Sequence, residues 1–144
     1  MPNDILTERS AYRHWTKDIL RYGDTDRQGH VNNAVFSTFL ESGRVAILYN
    51  KQRPVTPRGC AFVIARLVLD FRAEILWPGE VETGSALSHI GNSSVRFGQG
   101  IFTATGCAAT AETTIVLMDE QTRKSRPLPD EARAALVAIM GGAA

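Results

Sequence analysis

The stretch Asp24-Thr25-Asp26-Arg27-Gln28-Gly29-His30-Val31-Asn32-Asn33 runs directly into Ala34-Val35-Phe36-Ser37-Thr38-Phe39-Leu40-Glu41-Ser42-Gly43-Arg44-Val45-Ala46-Ile47-Leu48-Tyr49. Its first part is dense in charge and turn formers, the mark of a loop. Its second part sets Phe36, Phe39, Leu40, Gly43, Ala46 and Ile47 at three- and four-residue intervals, one apolar face of a helix ending near Tyr49. Asn32 or Asn33 is the natural N-cap, because an amide oxygen there accepts one of the N–H groups that a first helical turn leaves unpaired. Glu41 and Arg44, three apart, are expected on the flanks as a surface or half-buried ion pair. Gly43 costs the helix about 1 kcal/mol relative to alanine, which makes sense where another backbone approaches closely.

Around this helix the pattern changes to period two. Asp18–Gly23 fits a first strand. Lys51–Arg58, with Pro54 and Pro57, is a connection. Ala61–Ala73 then alternates, with Val63, Ala65, Leu67, Leu69, Phe71 and Ala73 on one apolar face set on a core. Trp77-Pro78-Gly79 is a turn, and Glu80–Ile90 alternates with small Gly84, Ala86 and Ser88 on one side. Gly91-Asn92 is a hairpin turn. Ser94–Thr103 and Ala108–Met118 make two further strands around Gly106, and Ala109, Ala111, Thr113, Ile115 and Leu117 offer a face able to receive the helix. Residues 1–14 read as a loosely held leader. Residues 127–144 read as a C-terminal tail whose short helix is capped by Asp130 and runs to about Met140. The expected class is α+β, one helix across one curved antiparallel sheet.

A chain of 144 residues is one domain, long enough to bury roughly 68 to 70% of its unfolded surface. Sixteen Lys plus Arg against fifteen Asp plus Glu leave a formal charge of +1, so the basic field of a nucleic-acid binder is absent. No run of about eighteen apolar residues offers a membrane span, and Met1–Lys17 has no apolar signal-peptide core, so the expected location is the cytoplasm. Cys60 and Cys107 form no CxxC pair and read as small buried hydrophobes. His14, His30 and His89 lack ligand spacing, so neither metal nor cofactor is expected. The Asn92-Ser93-Ser94 sequon serves as a turn signal. No GxGxxG, Walker loop, GxSxG elbow or HExxH occurs, which removes the commonest dinucleotide, nucleotide, hydrolase and zinc-protease readings.

What remains is a carboxylate-bearing glycine loop feeding the N-terminus of a central helix. Such an end gathers unpaired N–H groups and partial positive charge able to stabilise an oxyanion, and a carboxylate beside it serves as base or nucleophile. The run Arg21-Tyr22-Gly23-Asp24-Thr25-Asp26-Arg27-Gln28-Gly29-His30-Val31-Asn32-Asn33, followed by Phe36 and Glu41-Ser42-Gly43-Arg44, resembles the signature of hotdog-fold acyl-CoA thioesterases of the 4-hydroxybenzoyl-CoA thioesterase type. The turn at His89–Ser94 and the exit Arg126-Pro127-Leu128-Pro129 also fit. The resemblance implies a long helix wrapped by a curved five-stranded antiparallel sheet, a homodimer or homotetramer, and hydrolysis of acyl-CoA without metal. It places the catalytic carboxylate on Asp26 and the N–H that polarises the thioester near Asn33, with His30, Gly29 and Asn32 shaping the loop. Phe36 stands where many relatives carry tyrosine, and Arg27 where smaller residues are frequent.

Each assignment has a structural counterpart. Asp26 alone reads as an Asx-type turn. Asp24 is the competing carboxylate, with local hydrogen bonding as its simpler role. His30 reads first as structural. Ser93 and Ser94 are turn residues, or hydroxyls reaching a partner subunit's site. Lys51, Arg53, Arg58, Arg123, Lys124 and Arg126 are solvated charges, some of which would grip CoA phosphates. Glu41 is a rival base, eight residues into the helix. Two rival functions stand beside the thioesterase: a hotdog hydratase or dehydratase using His30 and Glu41, and a non-enzymatic acyl-CoA-binding module.

Overall fold

The computed structural model describes residues 3–141. A short helix α1 (Asn3–Leu6) and a 3₁₀ turn (Arg9–Ala11) lead into strand β1 (His14–Ile19); after a second 3₁₀ turn (Tyr22–Asp24) comes the long helix α2 (Asn33–Leu48). Strands β2 (Cys60–Phe71), β3 (Glu80–Ile90), β4 (Ser94–Thr103) and β5 (Gly106–Asp119) follow, then helix α3 (Asp130–Met140). All neighbouring strands are antiparallel in the order β1-β3-β4-β5-β2, so β1 and β2 are the edges. This is the α+β hotdog architecture, a long helix held by a curved five-stranded sheet.

The helix lies closest to β1, β3 and β4, and its apolar side shares a core with the buried Ala109, Ala111, Ile115 and Leu117 of β5, the face expected to receive it. Its N-terminal half, through Phe36, Phe39 and Leu40, packs with Val31, Ile75, Val81 and Ile101. Its C-terminal half, through Ile47 and Leu48, packs with Leu87, Phe97, Leu117 and the apolar side of α3. Gly43 sits at the crossing. A Cβ there would stand 3.0 Å from Gln99 Nε2 and 3.2 Å from Ser85 Oγ, the close approach that the glycine suggested.

Several local expectations are corrected. The first strand lies at His14–Ile19 rather than 18–23, because the Asp24 carboxylate draws in the N–H of Arg21 and closes a turn over Tyr22–Asp24. Residues 3–12 do not hang loosely: Leu6 and Tyr12 are buried on the outer sheet face beside Ala86 and Phe102, and the Tyr12 hydroxyl donates to the Leu6 carbonyl. In β2 the pairing with β5 slips between Ile64 and Arg66, so Ala65 is a bulge. The extra residue shifts the alternation. Phe62 and Ile64, opposite Leu117 and Ile115, thus share the helix-side face with Leu67, Leu69 and Phe71, while Val63 points the other way. Arg44 is buried rather than flanking, its Nη1 donating to Gln99 Oε1 at 3.2 Å, while Ala46 is exposed. Gln99 in turn donates to the Leu40 carbonyl and Ser85 Oγ, both at 3.0 Å. Glu41 stays on the surface and acts on Arg44 only at longer range. In α3, Pro129 holds the N-cap position and Asp130 is the first helical residue.

Candidate active site

The loop between β1 and α2 is built by its two aspartates in different ways. Asp24 is buried. Its carboxylate accepts the Arg21 N–H at 2.9 Å and the Arg21 guanidinium at 2.9 Å, and its carbonyl accepts the Asn32 N–H at 2.8 Å. Burial, the largest single influence, pushes its pKa up, yet the hydrogen bonds and charge of Arg21 together outweigh it and hold the carboxyl below its ordinary value. Asp24 thus fixes the loop, the local role weighed for it.

Asp26 is exposed. Its Oδ1 accepts the N–H groups of Gln28 at 2.8 Å and His30 at 3.1 Å, and its own N–H donates to the His30 carbonyl. The Asx-type turn is therefore present, but it uses one oxygen. Oδ2 takes no hydrogen bond from the described residues. Gly29, at φ 82°, makes the left-handed bend inside this turn, a conformation that glycine adopts without steric cost.

Asn32 is the N-cap of α2, its Oδ1 accepting the Ala34 N–H at 3.0 Å. The Asn32 carbonyl takes the Val35 N–H at 2.9 Å. The N–H of Asn33, the first helical residue, has no acceptor among the described residues. It is a free donor at the positive end of a 16-residue helix.

Asp26, His30, Asn33 and Phe36, all expected at the site, line one cavity of about 340 Å³. Gly29 and Asn32 do not line it; they shape the loop and the helix start that carry the lining residues. Within the chain Ser93 and Ser94 do not line this cavity: their turn is bound to the α3 end of the molecule, with the Asn92 carbonyl accepting from Leu128 N and Arg133, so the role expected of them belongs to a partner subunit's site. That end is a helix length from Asn33, about 24 Å at 1.5 Å per residue. Glu41 does not line the cavity either, so the His30 and Glu41 pair of a dehydratase is not assembled within the chain.

Sequence reasoning missed two residues. Phe71, at the end of β2, closes the apolar side, its ring 5.0 Å from that of Phe36 in an edge contact. Glu74, its side chain largely exposed, lines the cavity as well, its Oε2 3.5 Å from His30 Nε2. Both arrive because His30 bridges Leu76 and Val31 N donates to the Ile75 carbonyl, pairings across more than forty residues. Among the described residues, no group of three or more His, Cys, Asp or Glu side chains is arranged to hold a metal ion. Nor is any described helix long and apolar enough to cross a membrane.

Fold and loop together define a hotdog protein with a carboxylate at the helix N-terminus. Residues 20–136 match the thioesterase-like superfamily, and the chain belongs to that family. A thioesterase from Thermus thermophilus, solved with coenzyme A and zinc, is 29% identical; the match covers 91% of this chain and 96% of that one at a TM-score of 0.79. YbaW of Escherichia coli, a probable thioesterase, is 26% identical over 89% of this chain and 99% of its own, with a TM-score of 0.74. The PA5185 protein of Pseudomonas aeruginosa PAO1 shares the fold at a TM-score of 0.81, with 24% identity over 94% of this chain and 97% of that one. No curated protein is significantly similar in sequence.

Proposed function

We propose that the chain hydrolyses acyl-CoA thioesters at the N-terminus of α2. One observation carries the reading: the free Oδ2 of Asp26 and the unpaired N–H of Asn33 belong to residues lining the same cavity. The thioester carbonyl oxygen accepts the Asn33 N–H, which strengthens as the oxygen becomes an oxyanion. Asp26 Oδ2 then either attacks the carbonyl carbon, expelling the CoA thiolate and leaving a mixed anhydride that water opens, or takes a proton from water as that water attacks. Either route gives free acid and CoA. Coenzyme A in the Thermus thermophilus relative supports CoA as the leaving group. The oxyanion is met by a backbone dipole, so the route as written uses no metal or cofactor. Acyl-CoA substrates are intracellular, which favours a cytoplasmic protein.

The edge strand β2 supports a homodimer. Its free side is long, and Ile64 and Val68 are 53% and 36% exposed, an apolar edge of the kind a second sheet covers. A partner on this edge closes the cavity beside Phe71. The direct test is thiol release from a panel of acyl-CoAs by the wild type and Asp26→Asn. The asparagine keeps an Oδ1 acceptor for Gln28 and His30, so the loop holds its shape while turnover falls at least about a hundredfold. Equal rates in the two proteins would sink the assignment.

A further inference from the structure

The charges around the cavity are one-sided. Asp26 and Glu74 both line it, His30 lies between them, and no lysine or arginine is among the lining residues. Arg72, next to Phe71 in sequence, points to the opposite sheet face, where its Nε is 3.4 Å from Thr110 Oγ1. The lining residues beside these charges are the polar Gln28 and Asn33 and the apolar Val31, Phe36, Phe71 and Ala73. The Phe36 ring is buried at 2% exposure, whereas Phe71 is half exposed and free to lie along a bound chain.

We infer that Glu74 is a specificity-determining residue that, with the Phe36 and Phe71 corner, selects acyl groups carrying no negative charge on their tail. The inference rests on the thioesterase reading above and names the substrate class for that site. Asp26 is required by the chemistry and repels an acidic tail wherever it stands. Glu74 is not required by it. It adds a second negative charge on the rim, through which an acyl tail passes along Phe71. Even at the dielectric of water, a like charge 4 to 5 Å away disfavours binding about fivefold. Two such charges, partly screened by salt, amount to about tenfold. An uncharged chain meets no such barrier and covers the exposed part of Phe71. Discrimination here comes from a repulsive element as much as from an attractive one.

The experiment compares kcat/KM for hexanoyl-CoA and adipoyl-CoA, equal in chain length and differing by a terminal carboxylate, in the wild type, Glu74→Gln, Glu74→Lys and Phe71→Ala. The wild type is expected to favour hexanoyl-CoA by about tenfold or more, with the ratio shrinking as salt is raised. Glu74→Gln narrows it about threefold, Glu74→Lys narrows it further, and Phe71→Ala lowers it by weakening the hexanoyl side alone. The salt series on the wild type reads the same electrostatics without any variant. A wild type that prefers adipoyl-CoA, or a ratio indifferent to both Glu74 variants and to salt, would overturn the inference while leaving the thioesterase reading intact. Absence of thiol release from every acyl-CoA would instead overturn that underlying reading.

Discussion

Placing proline at Asn33 separates catalysis from folding in a way that few substitutions do. The residue is the first of α2, and its N–H holds no bond among the described residues, so removing it costs none of the hydrogen bonds described. Proline is favoured at this helical position, where its fixed φ near −65° suits the first turn. The residue before a proline must be extended, and Asn32 already is, at φ −60° and ψ 139°. Restricting the unfolded chain then makes Asn33→Pro neutral or stabilising by about 0.4 to 1 kcal/mol. Loss of one oxyanion donor costs roughly 2.7 to 4 kcal/mol, a fall in kcat of about a hundred- to a thousandfold. Asn33→Ala keeps the N–H and should remain near wild-type turnover. Steady-state thiol release from a good acyl-CoA, measured beside melting curves, decides the matter. Equal rates for the proline and alanine variants would remove the backbone N–H from the mechanism. A melting point lowered by more than about 4 °C, roughly 1 kcal/mol or more for this size, would refute the claim that the N–H is uncommitted.

Other perturbations test the scaffold. Asp24→Asn removes a buried, Arg21-bound charge, which should cost about 1.5 to 3 kcal/mol at pH 7. Because the folded-state pKa of Asp24 lies below its unfolded value, that contribution is fully present above the ordinary carboxylate pKa and fades as pH falls through the folded one; urea unfolding at pH 7 and pH 3 should show the gap to wild type shrinking, and a widening gap would refute the assignment. Gly43→Ala gains about 1 kcal/mol of helix propensity but drives a Cβ to 3.0 Å from Gln99 Nε2, and Gln99 is tied to Arg44, Leu40 and Ser85. With a neighbour that cannot yield, the melting point should fall, and a rise would show that Gln99 moves aside. The double substitution of Ile64 and Val68 by lysine should charge the free edge of β2, so that sedimentation shifts to monomer and activity falls with it; a fully active monomer would remove the partner from the site.

The central helix was legible because its signals are local: a cap at Asn32, an apolar face at three- and four-residue spacing, and a glycine where the sheet comes nearest. The strands β3 to β5 were legible for the same reason, since their alternation runs unbroken across most of each. What escaped depended on partners distant in sequence. One bulged residue, Ala65, inverts the phase of the first part of β2, and alternation alone cannot locate a bulge whose cause lies in the pairing with β5. Arg44 looks like a flank residue until Gln99, 55 positions later, offers its carbonyl beneath the helix. Residues 3–12 look polar and loose until the outer sheet face supplies Ala86 and Phe102 to cover Leu6 and Tyr12.

The site divides along the same line. Asp26, His30 and Asn33 lie within one loop, so their grouping is written in the sequence, whereas Glu74 and Phe71 reach them only through the pairing of residues 75 and 76 with Val31 and His30. The two aspartates show how much one neighbour decides. Asp24 and Asp26 are two apart in the same loop, yet Arg21 occupies both oxygens of the first, and it becomes a brace. The second is held by one oxygen through backbone N–H groups alone, an arrangement that fixes its direction without neutralising its charge. Precision and availability in a catalytic carboxylate are usually in conflict, because the contacts that orient it also occupy it. Under the proposed mechanism this loop eases the conflict by giving the bracing to Asp24 and leaving Oδ2 of Asp26 without a partner among the described residues, so substitutions at the two positions should separate stability from turnover.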